Sequence, residues 1–295
     1  IISDEEEAVE PEAVVVENEE TMTVYDEEEA VQINEENFPD EQFRSWIEDS
    51  VDKSKNGYLE EEEIKECKYF YFSDTISDLT GIQFLKELTN VYLYGCTNLK
   101  LVDVSQNDKL IDFSISETDI SDVEIKINTS IKKLTFSKCG INDIDVSDYM
   151  ELEALSCPYN NIENIDVSKN TKLKELYVQG NPLNALDVSK NPLLDTLVLG
   201  DDNYDSSGVK SEIESLDISK NLKLDKLTIY ETKIGELDLS HASKLSTLGI
   251  FNNPGIKKLD LSNNKELLDI DINYNENLES IILPDDNKIS SIELV

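Results

Sequence analysis

Twelve consecutive residues, 52–63 (DKSKNGYLEEEE), place oxygen atoms at regularly spaced positions. The side chains at positions one, three, five, nine and twelve and the backbone carbonyl at position seven belong to Asp52, Ser54, Asn56, Glu60, Glu63 and Tyr58. Gly57 stands at position six, where the chain must turn sharply. Ca²⁺ prefers about six to eight oxygen ligands, and a final Glu can close the coordination sphere with both oxygens. The spacing therefore predicts calcium as a structural cofactor of this segment.

Helical patterns flank this loop on both sides. Before it, apolar residues recur every three or four positions between residues 43 and 51, after the start signal Pro39-Asp40. After it, a second acidic helix is expected from about Leu59 to Phe70. The helix, loop and helix resemble an EF-hand, although Ser54 is a weaker ligand than Asp or Asn. The alternative is that residues 52–57 form only a turn between two helices.

From Leu88 onward, apolar residues recur at intervals of 21 or 22 residues, with one interval of 30. The first position of each unit is occupied by Leu88, Leu110, Ile131, Leu152, Leu173, Leu194, Leu224, Leu245, Leu267 and Ile289. Positions four and six are also apolar, which predicts a short strand with one inward face. A fixed period of this length predicts a solenoid of stacked units, or rungs.

Position nine of each rung carries a small polar residue or a Cys. These residues are Cys96, Thr118, Cys139, Asn160, Asn181, Asp202, Thr232, Asn253 and Asn275. The pattern resembles the leucine-rich repeat, and the recurring element LDVSKN (186–191) resembles repeats of internalin-like bacterial surface proteins. The fold implied is a mostly β, right-handed leucine-rich-repeat solenoid with an EF-hand-like helical cap at its N-terminal end. Two rungs depart from the element, at residues 123–126 and 281–284, and less regular structure is expected there.

The second half of each rung is expected to form a short strand on the back of the solenoid. Stacked rungs would bring Asp145, Asp166 and Asp187 into a column of like charges. We expect this repulsion to be offset by hydrogen bonds from neighbouring Ser residues and backbone groups, together with nearby lysines. Bound cations are the alternative.

The net charge of −38 is unevenly distributed along the 295 residues. Residues 1–36 carry −15 without a single Lys or Arg, residues 37–80 carry −7, and residues 81–295 carry −16. The three segments are predicted to be a flexible or loosely docked acidic tail, the helical cap, and a solenoid of about nine rungs plus a partial one. This charge argues against nucleic acid as a partner. It gives no indication that the binding face itself seeks a basic partner.

Seven aromatic residues fall at positions that face outward from the predicted strands or their ends. They are Tyr92, Tyr94, Tyr159, Tyr177, Tyr230, Phe251 and Tyr274. Exposed aromatics anchor protein interfaces and also stack on sugar rings. The alternative is that Tyr is simply tolerated on a β-sheet. Nine extra residues in the sixth rung are expected to project as a loop beside this face.

These patterns predict a non-enzymatic recognition module that binds a protein ligand through the concave sheet. A carbohydrate-binding module and a structural spacer of a larger surface protein remain alternatives. No apolar run is long enough to span a membrane, and a secreted or cell-surface location is implied by the resemblance alone. The four cysteines are expected to be buried thiols, and the single histidine, His241, stands without a catalytic motif around it.

Overall fold

The structure, a computed structural model, describes residues 30–73, 76–121, 123–202, 210–285 and 288–294. The N-terminal cap consists of β1 (Val31–Gln32), α1 (Glu41–Ser50), β2 (Tyr58–Leu59) and α2 (Glu61–Glu66), and β1 pairs antiparallel with β2. Asp40 caps α1 by accepting hydrogen bonds from the Gln42 and Phe43 N–H groups. The second helix is shorter than predicted, because residues 69–73 alternate as a strand.

The solenoid has one long parallel sheet, here called the front sheet, with eleven strands among the described residues. Their order in the sheet is the same as their order along the chain, and the strand numbers that are skipped belong to strands on the back of the solenoid. They are β3 (Tyr69–Ser73), β4 (Asn90–Tyr94), β6 (Asp112–Ser116), β8 (Lys133–Ser137), β9 (Ala154–Ser156), β10 (Glu175–Tyr177), β11 (Thr196–Gly200), β12 (Lys226–Tyr230), β13 (Thr247–Phe251), β15 (Asp269–Asn273) and β17 (Ser291–Leu294). A 3₁₀ turn (Ile82–Phe84) joins β3 to β4.

The core follows the predicted repeat. The first-position residues from Leu88 to Leu267 are all buried, and Ile289 is half-buried. Within each front strand the apolar side chains point inward, as Val91 and Leu93 do in β4. The predicted leucine-rich-repeat solenoid is confirmed in its period, its strand positions and its core.

The back of the solenoid differs from the prediction. Strands form there only at β5 (Leu101–Val104), which pairs with β7 (Glu124–Ile127), and at β14 (Lys258–Asp260), which pairs with β16 (Ser280–Ile282), among the described residues. The two rungs expected to be irregular therefore form paired strands, whereas rungs with the IDVS or LDVS element at residues 144–147, 165–168 and 186–189 do not. The Asp and Ser of that element form a turn, and the same Asp–Ser hydrogen bond occurs at Asp103 of β5 and Asp260 of β14, so the turn alone does not decide whether a back strand pairs.

In each of these turns, an Asp side chain accepts a hydrogen bond from the N–H of the Ser two residues later. The distances are 2.9 Å for Asp145, 2.8 Å for Asp166 and 2.8 Å for Asp187. These hydrogen bonds lower the pKa of all three carboxyls. The column of like charges is thus stabilised by hydrogen bonds, as predicted.

Two columns of buried polar side chains run through the stacked rungs. At position nine, Asn160 accepts from the Cys139 N–H at 2.9 Å and donates to the Phe136 carbonyl at 2.8 Å. The second column, which the sequence analysis did not identify, contains Asn107, Asn128, Asn170, Asn191, Asn221 and Asn264, each donating to backbone carbonyls of the preceding rung. These amides satisfy backbone groups that the turns leave unpaired.

The cap closes the end of the solenoid through aromatic contacts. Phe43 and Trp46 both pack edge-on against Phe70 of β3, with ring centroids 5.3 and 4.7 Å apart. Phe43 and Ile47 are buried in the same core cluster as Leu79, Ile82 and Leu85. Asp40, besides capping α1, accepts hydrogen bonds from the Ser77 N–H and hydroxyl at 2.9 and 2.8 Å. The cap therefore covers apolar surface that the first rung would otherwise expose.

The segment boundaries differ from those drawn on the sequence. Residues 30–36 belong to the cap through β1, and the front sheet begins at Tyr69, before residue 81. Residues 1–29 lie outside the described part of the chain, so the flexible acidic tail stays a prediction for them. Most of the projecting loop, residues 203–209, also lies outside it. Within the described ranges, no helix has the length and apolar character needed to cross a membrane.

Candidate functional site

The outward side chains of the front sheet form one surface, here called the front face. At its N-terminal end Tyr92 donates to Asp112 at 2.9 Å and Tyr94 donates to Glu117 at 2.6 Å. Partial burial and the Asp112 hydrogen bond raise the pKa of Tyr92. Strand β3 adds Tyr69 and Tyr71, which are 67% and 60% exposed and were not predicted. Their signal was the alternation YFYFS, which the sequence analysis assigned partly to a helix.

The middle of the front face is covered by small hydroxyl side chains. They belong to Ser114, Ser116, Thr135, Ser137 and Ser156, in strands β6, β8 and β9. This hydroxyl tract separates Tyr92 and Tyr94 from the five aromatic residues predicted further along the chain. The predicted aromatic face therefore consists of two clusters.

The C-terminal cluster begins at Tyr159 and Tyr177. Tyr159 has a left-handed backbone with φ of 56°, and its hydroxyl donates to Asp202 at 2.5 Å, across two rungs. Burial, followed by this contact with Asp202, raises the pKa of Tyr159. Its ring lies over Gly180, where an added Cβ would meet the ring at 2.4 Å. Tyr159 is thus held in place by the next two rungs.

Tyr230 and Phe251 lie side by side at the ends of β12 and β13. Their rings are stacked, with centroids 4.9 Å apart and an angle of 17° between the planes. Tyr274 follows β15 with φ of 60° and is 65% exposed. The register of the parallel strands brings together these aromatics, which lie 21 to 23 residues apart in sequence.

A cleft of about 770 Å³ opens beside these rings, and we call it the aromatic groove. Its lining residues are Asp201, Asp202, Tyr230, Phe251, Asn252, Tyr274, Asn275 and Glu276. Asp201 is buried and Asp202 half-buried, so Asp201, and not Asp202 as assigned from the repeat, takes the buried place that Asn181 has in the preceding rung. The shift follows from Gly200, whose φ of 90° bends the end of β11 against the Tyr230 carbonyl.

The predicted calcium loop is closed by hydrogen bonds within the cap. Glu63 Oε1 accepts from the N–H groups of Lys53 and Ser54 at 2.7 and 2.9 Å. Asp52 accepts from the N–H groups of Asn56 and Gly57 at 3.3 and 3.0 Å. Both carboxylates are buried and close the loop between α1 and α2.

The loop has the oxygen ligands that calcium requires, but these oxygens already accept hydrogen bonds from other groups of the loop. Glu60 accepts from the Asn56 amide at 2.6 Å and forms a reciprocal capping box with Glu63. Among the described residues, no three His, Cys, Asp or Glu side chains converge as a metal-binding group. Calcium binding here would require Glu63 to exchange N–H donors for the cation and would draw further oxygens from Ser54, Asn56 and the Tyr58 carbonyl.

Strand β1 supports this loop from outside. Val31 of β1 pairs with Leu59, the eighth residue of the loop, and Ile33 N–H donates to the Gly57 carbonyl at 2.9 Å. This strand comes from the segment predicted to be an acidic tail. The loop is thus held from outside as well as by its own carboxylates.

The cysteines and the histidine belong to the framework. Cys96, Cys139 and Cys157 are buried, and Cys67 is half-buried between the cap and β3, with burial raising its pKa to about 11. His241 is exposed on a back turn, with its Nδ1 atom 3.2 Å from the Ser240 hydroxyl. Two Asp residues of neighbouring back turns, Asp217 and Asp238, have a lowered pKa, chiefly because they accept hydrogen bonds from Ser219 and Ser240.

No protein-family model and no characterised protein matches this sequence. Solved structures do match its fold. The functional domain of InlJ from Listeria monocytogenes, described as including a cysteine ladder, has a TM-score of 0.51 and 20% identity over 90% of this chain and 71% of that one. Internalin C2 from Listeria monocytogenes has a TM-score of 0.57 and 19% identity over 75% of this chain and 97% of that one.

A third match is TLR13 in a complex with ssRNA13, with a TM-score of 0.51 and 17% identity over 79% of this chain and 45% of that one. Identities this low establish a common fold and nothing about ligands. The chain therefore has the leucine-rich-repeat solenoid fold found in Listeria internalins.

Proposed function

We propose that this chain is a recognition module that binds a protein ligand through its front face. The observation that supports the proposal most is the pair of aromatic clusters on one sheet, whose side chains are exposed or half-buried. The fold does not need these side chains at its surface, because its core is filled by the inward residues and its turns are stabilised by the Asn columns. Aromatic anchors on a preformed surface bind with little loss of conformational entropy.

The hydroxyl tract between the clusters supports a large rather than a small ligand. Ser114, Thr135 and Ser156 follow one another in register across three strands and offer donors and acceptors without blocking approach. Because this polar strip separates the two aromatic clusters, a ligand that contacts both of them must extend over several strands. A small molecule would use one cluster alone.

Selection of peptides from a random display library tests this proposal. The wild-type chain is the target, and the triple variant Tyr177→Ala/Tyr230→Ala/Phe251→Ala is the comparison. The matched control Met150→Ala/Leu222→Ala removes exposed apolar side chains outside the front sheet. We expect binders that lose at least tenfold in affinity on the triple variant and keep it on the control. Binders with the same affinity for all three proteins would contradict the proposal. Binding of oligosaccharides alone would favour the carbohydrate alternative.

We also propose that the cap binds calcium as a structural ion. The oxygen donors of residues 52–63 and the support from β1 favour it. A ligand at about 100 times its Kd stabilises the native state by about 2.7 kcal/mol, so calcium should raise the melting temperature and EDTA should reverse the rise. The variant Glu63→Gln should melt at the same temperature with and without calcium, whereas Glu66→Gln, outside the loop, should respond like wild type. If EDTA leaves the melting temperature of the wild type unchanged, the calcium site is excluded.

A further inference from the structure

The aromatic groove has room for more than one side chain. Its volume of about 770 Å³ lies within the range of about 300–1,000 Å³ typical of ligand sites. The stacked rings of Tyr230 and Phe251 form one wall. Gly249, which pairs with Thr228 and Asp271 of the neighbouring strands, lets the Phe251 ring lie against the sheet, because a Cβ at this position would meet the ring at 2.8 Å. The position of the Phe251 ring thus depends on a glycine in the middle of a strand.

The charged side chains that line the groove are all acidic. Asp201, Asp202 and Glu276 line it, and none of its lining residues in the described chain is a Lys or Arg. The nearby Lys210 is paired with Glu231 at 3.0 Å. Burial, followed by the charges of Asp202 and Asp271, raises the pKa of Tyr230, so the ring lies in a negative potential. Burial, followed by the charge of Glu293, raises the pKa of Asp271, a further carboxyl group at the same end of the front face.

We propose that the aromatic groove binds the Arg or Lys side chain of a protein ligand, between the aromatic rings and the surrounding carboxylates. This inference rests on the proposed function and specifies the ligand chemistry at one end of the front face. A cation gains from the aromatic faces and from the carboxylates together. A guanidinium fits best, because its plane stacks on rings and its N–H groups pair with carboxylates. A neutral sugar would gain from the rings alone.

Two peptides that differ only in charge test the proposal by NMR titration. The first is acetyl-Gly-Arg-Gly-Arg-Gly-amide, and the second carries citrulline, the neutral isostere, in place of both arginines. The arginine peptide should bind about tenfold more tightly, with shifts at Tyr230 and Phe251. The double variant Asp202→Asn/Glu276→Gln should abolish this preference. The control Asp148→Asn/Glu163→Gln, which makes the same change in net charge at exposed sites outside the front sheet, should retain it.

Three results would overturn the proposal: no binding of the arginine peptide, equal binding of both peptides, or a preference that survives in the Asp202/Glu276 variant. Binding of an N-acetylglucosamine oligomer at these residues without binding of the arginine peptide would assign the groove to carbohydrate. Failure here is separable from failure of the proposed function. Display-selected ligands that depend on the front face but are not basic refute only the cation site, whereas the lack of any front-face dependence refutes the recognition function itself.

Discussion

Replacement of Asn160 by Ala should cost the solenoid about 3 kcal/mol. The side chain is 3% exposed and joins three segments of backbone. Its oxygen accepts from the Cys139 N–H at 2.9 Å, and its amide donates to the carbonyls of Phe136 at 2.8 Å and Cys157 at 3.0 Å. Each buried backbone group left without a partner costs about 1–3 kcal/mol, and the substitution leaves at least two.

The assay is urea unfolding followed by circular dichroism, with midpoints compared at a common m-value. Asn161→Ala, at the exposed neighbouring position, is the control and should change stability by less than about 0.5 kcal/mol. Asn160→Cys should be intermediate, because Cys139 occupies the same position one rung earlier, with its sulfur 3.3 Å from the Ile115 and Ser137 carbonyls. If Asn160→Ala unfolds within about 1 kcal/mol of Asn161→Ala, the column does not stabilise the rungs as argued.

Three further predictions concern the cap, the first rung and the groove. Calcium should protect the loop against proteolysis in the wild type but not in Glu63→Gln, and equal cleavage rates with EDTA would argue against the ion. Hydrogen bonds from two lysines, Lys109 and then Lys68, lower the pKa of Glu87 to about 2, below its ordinary 4.5. The ionised Glu87 therefore contributes fully to the stability of the fold above about pH 4.5, and this contribution is lost as the pH falls towards 2. The melting temperatures of wild type and Glu87→Gln should converge over that range. A difference between the two melting temperatures that stays unchanged down to pH 2 would contradict this. Gly200→Ala should destabilise by more than about 3 kcal/mol, because its Cβ would lie 1.6 Å from the Tyr230 carbonyl oxygen. Gly235→Ala, with nothing within 4 Å, should be nearly neutral.

The repeat made most of the solenoid predictable. A period of 21 or 22 residues fixes which strand side chains point inward, and it assigned Asn160, Asn181 and Asn253 to the same position of their rungs, where the structure shows a buried column. It also placed the seven predicted aromatics on the front face or at its edge, because strand alternation follows directly from the position within a rung.

What the sequence did not reveal depends on contacts between distant segments. Tyr69 and Tyr71 belong to a strand that pairs with β4, but they follow an acidic helix without a repeat signal of their own. Strand β1 is stable only because the loop offers Tyr58 and Leu59 as partners. The aromatic groove arises where a left-handed glycine, acidic side chains and stacked rings meet from four rungs, which no local pattern specifies.

The recognition function is tested most directly by hydrogen exchange of the chain with its best display-selected ligand bound. The account predicts that protection appears in the front strands and at their ends, above all at β10, β11, β12, β13 and β15 around Tyr230 and Phe251. It also predicts that exchange at the back turns around Asp145, Asp166 and Asp187 is unchanged. Protection confined to those back turns or to the cap, with the front strands unaffected, would contradict it.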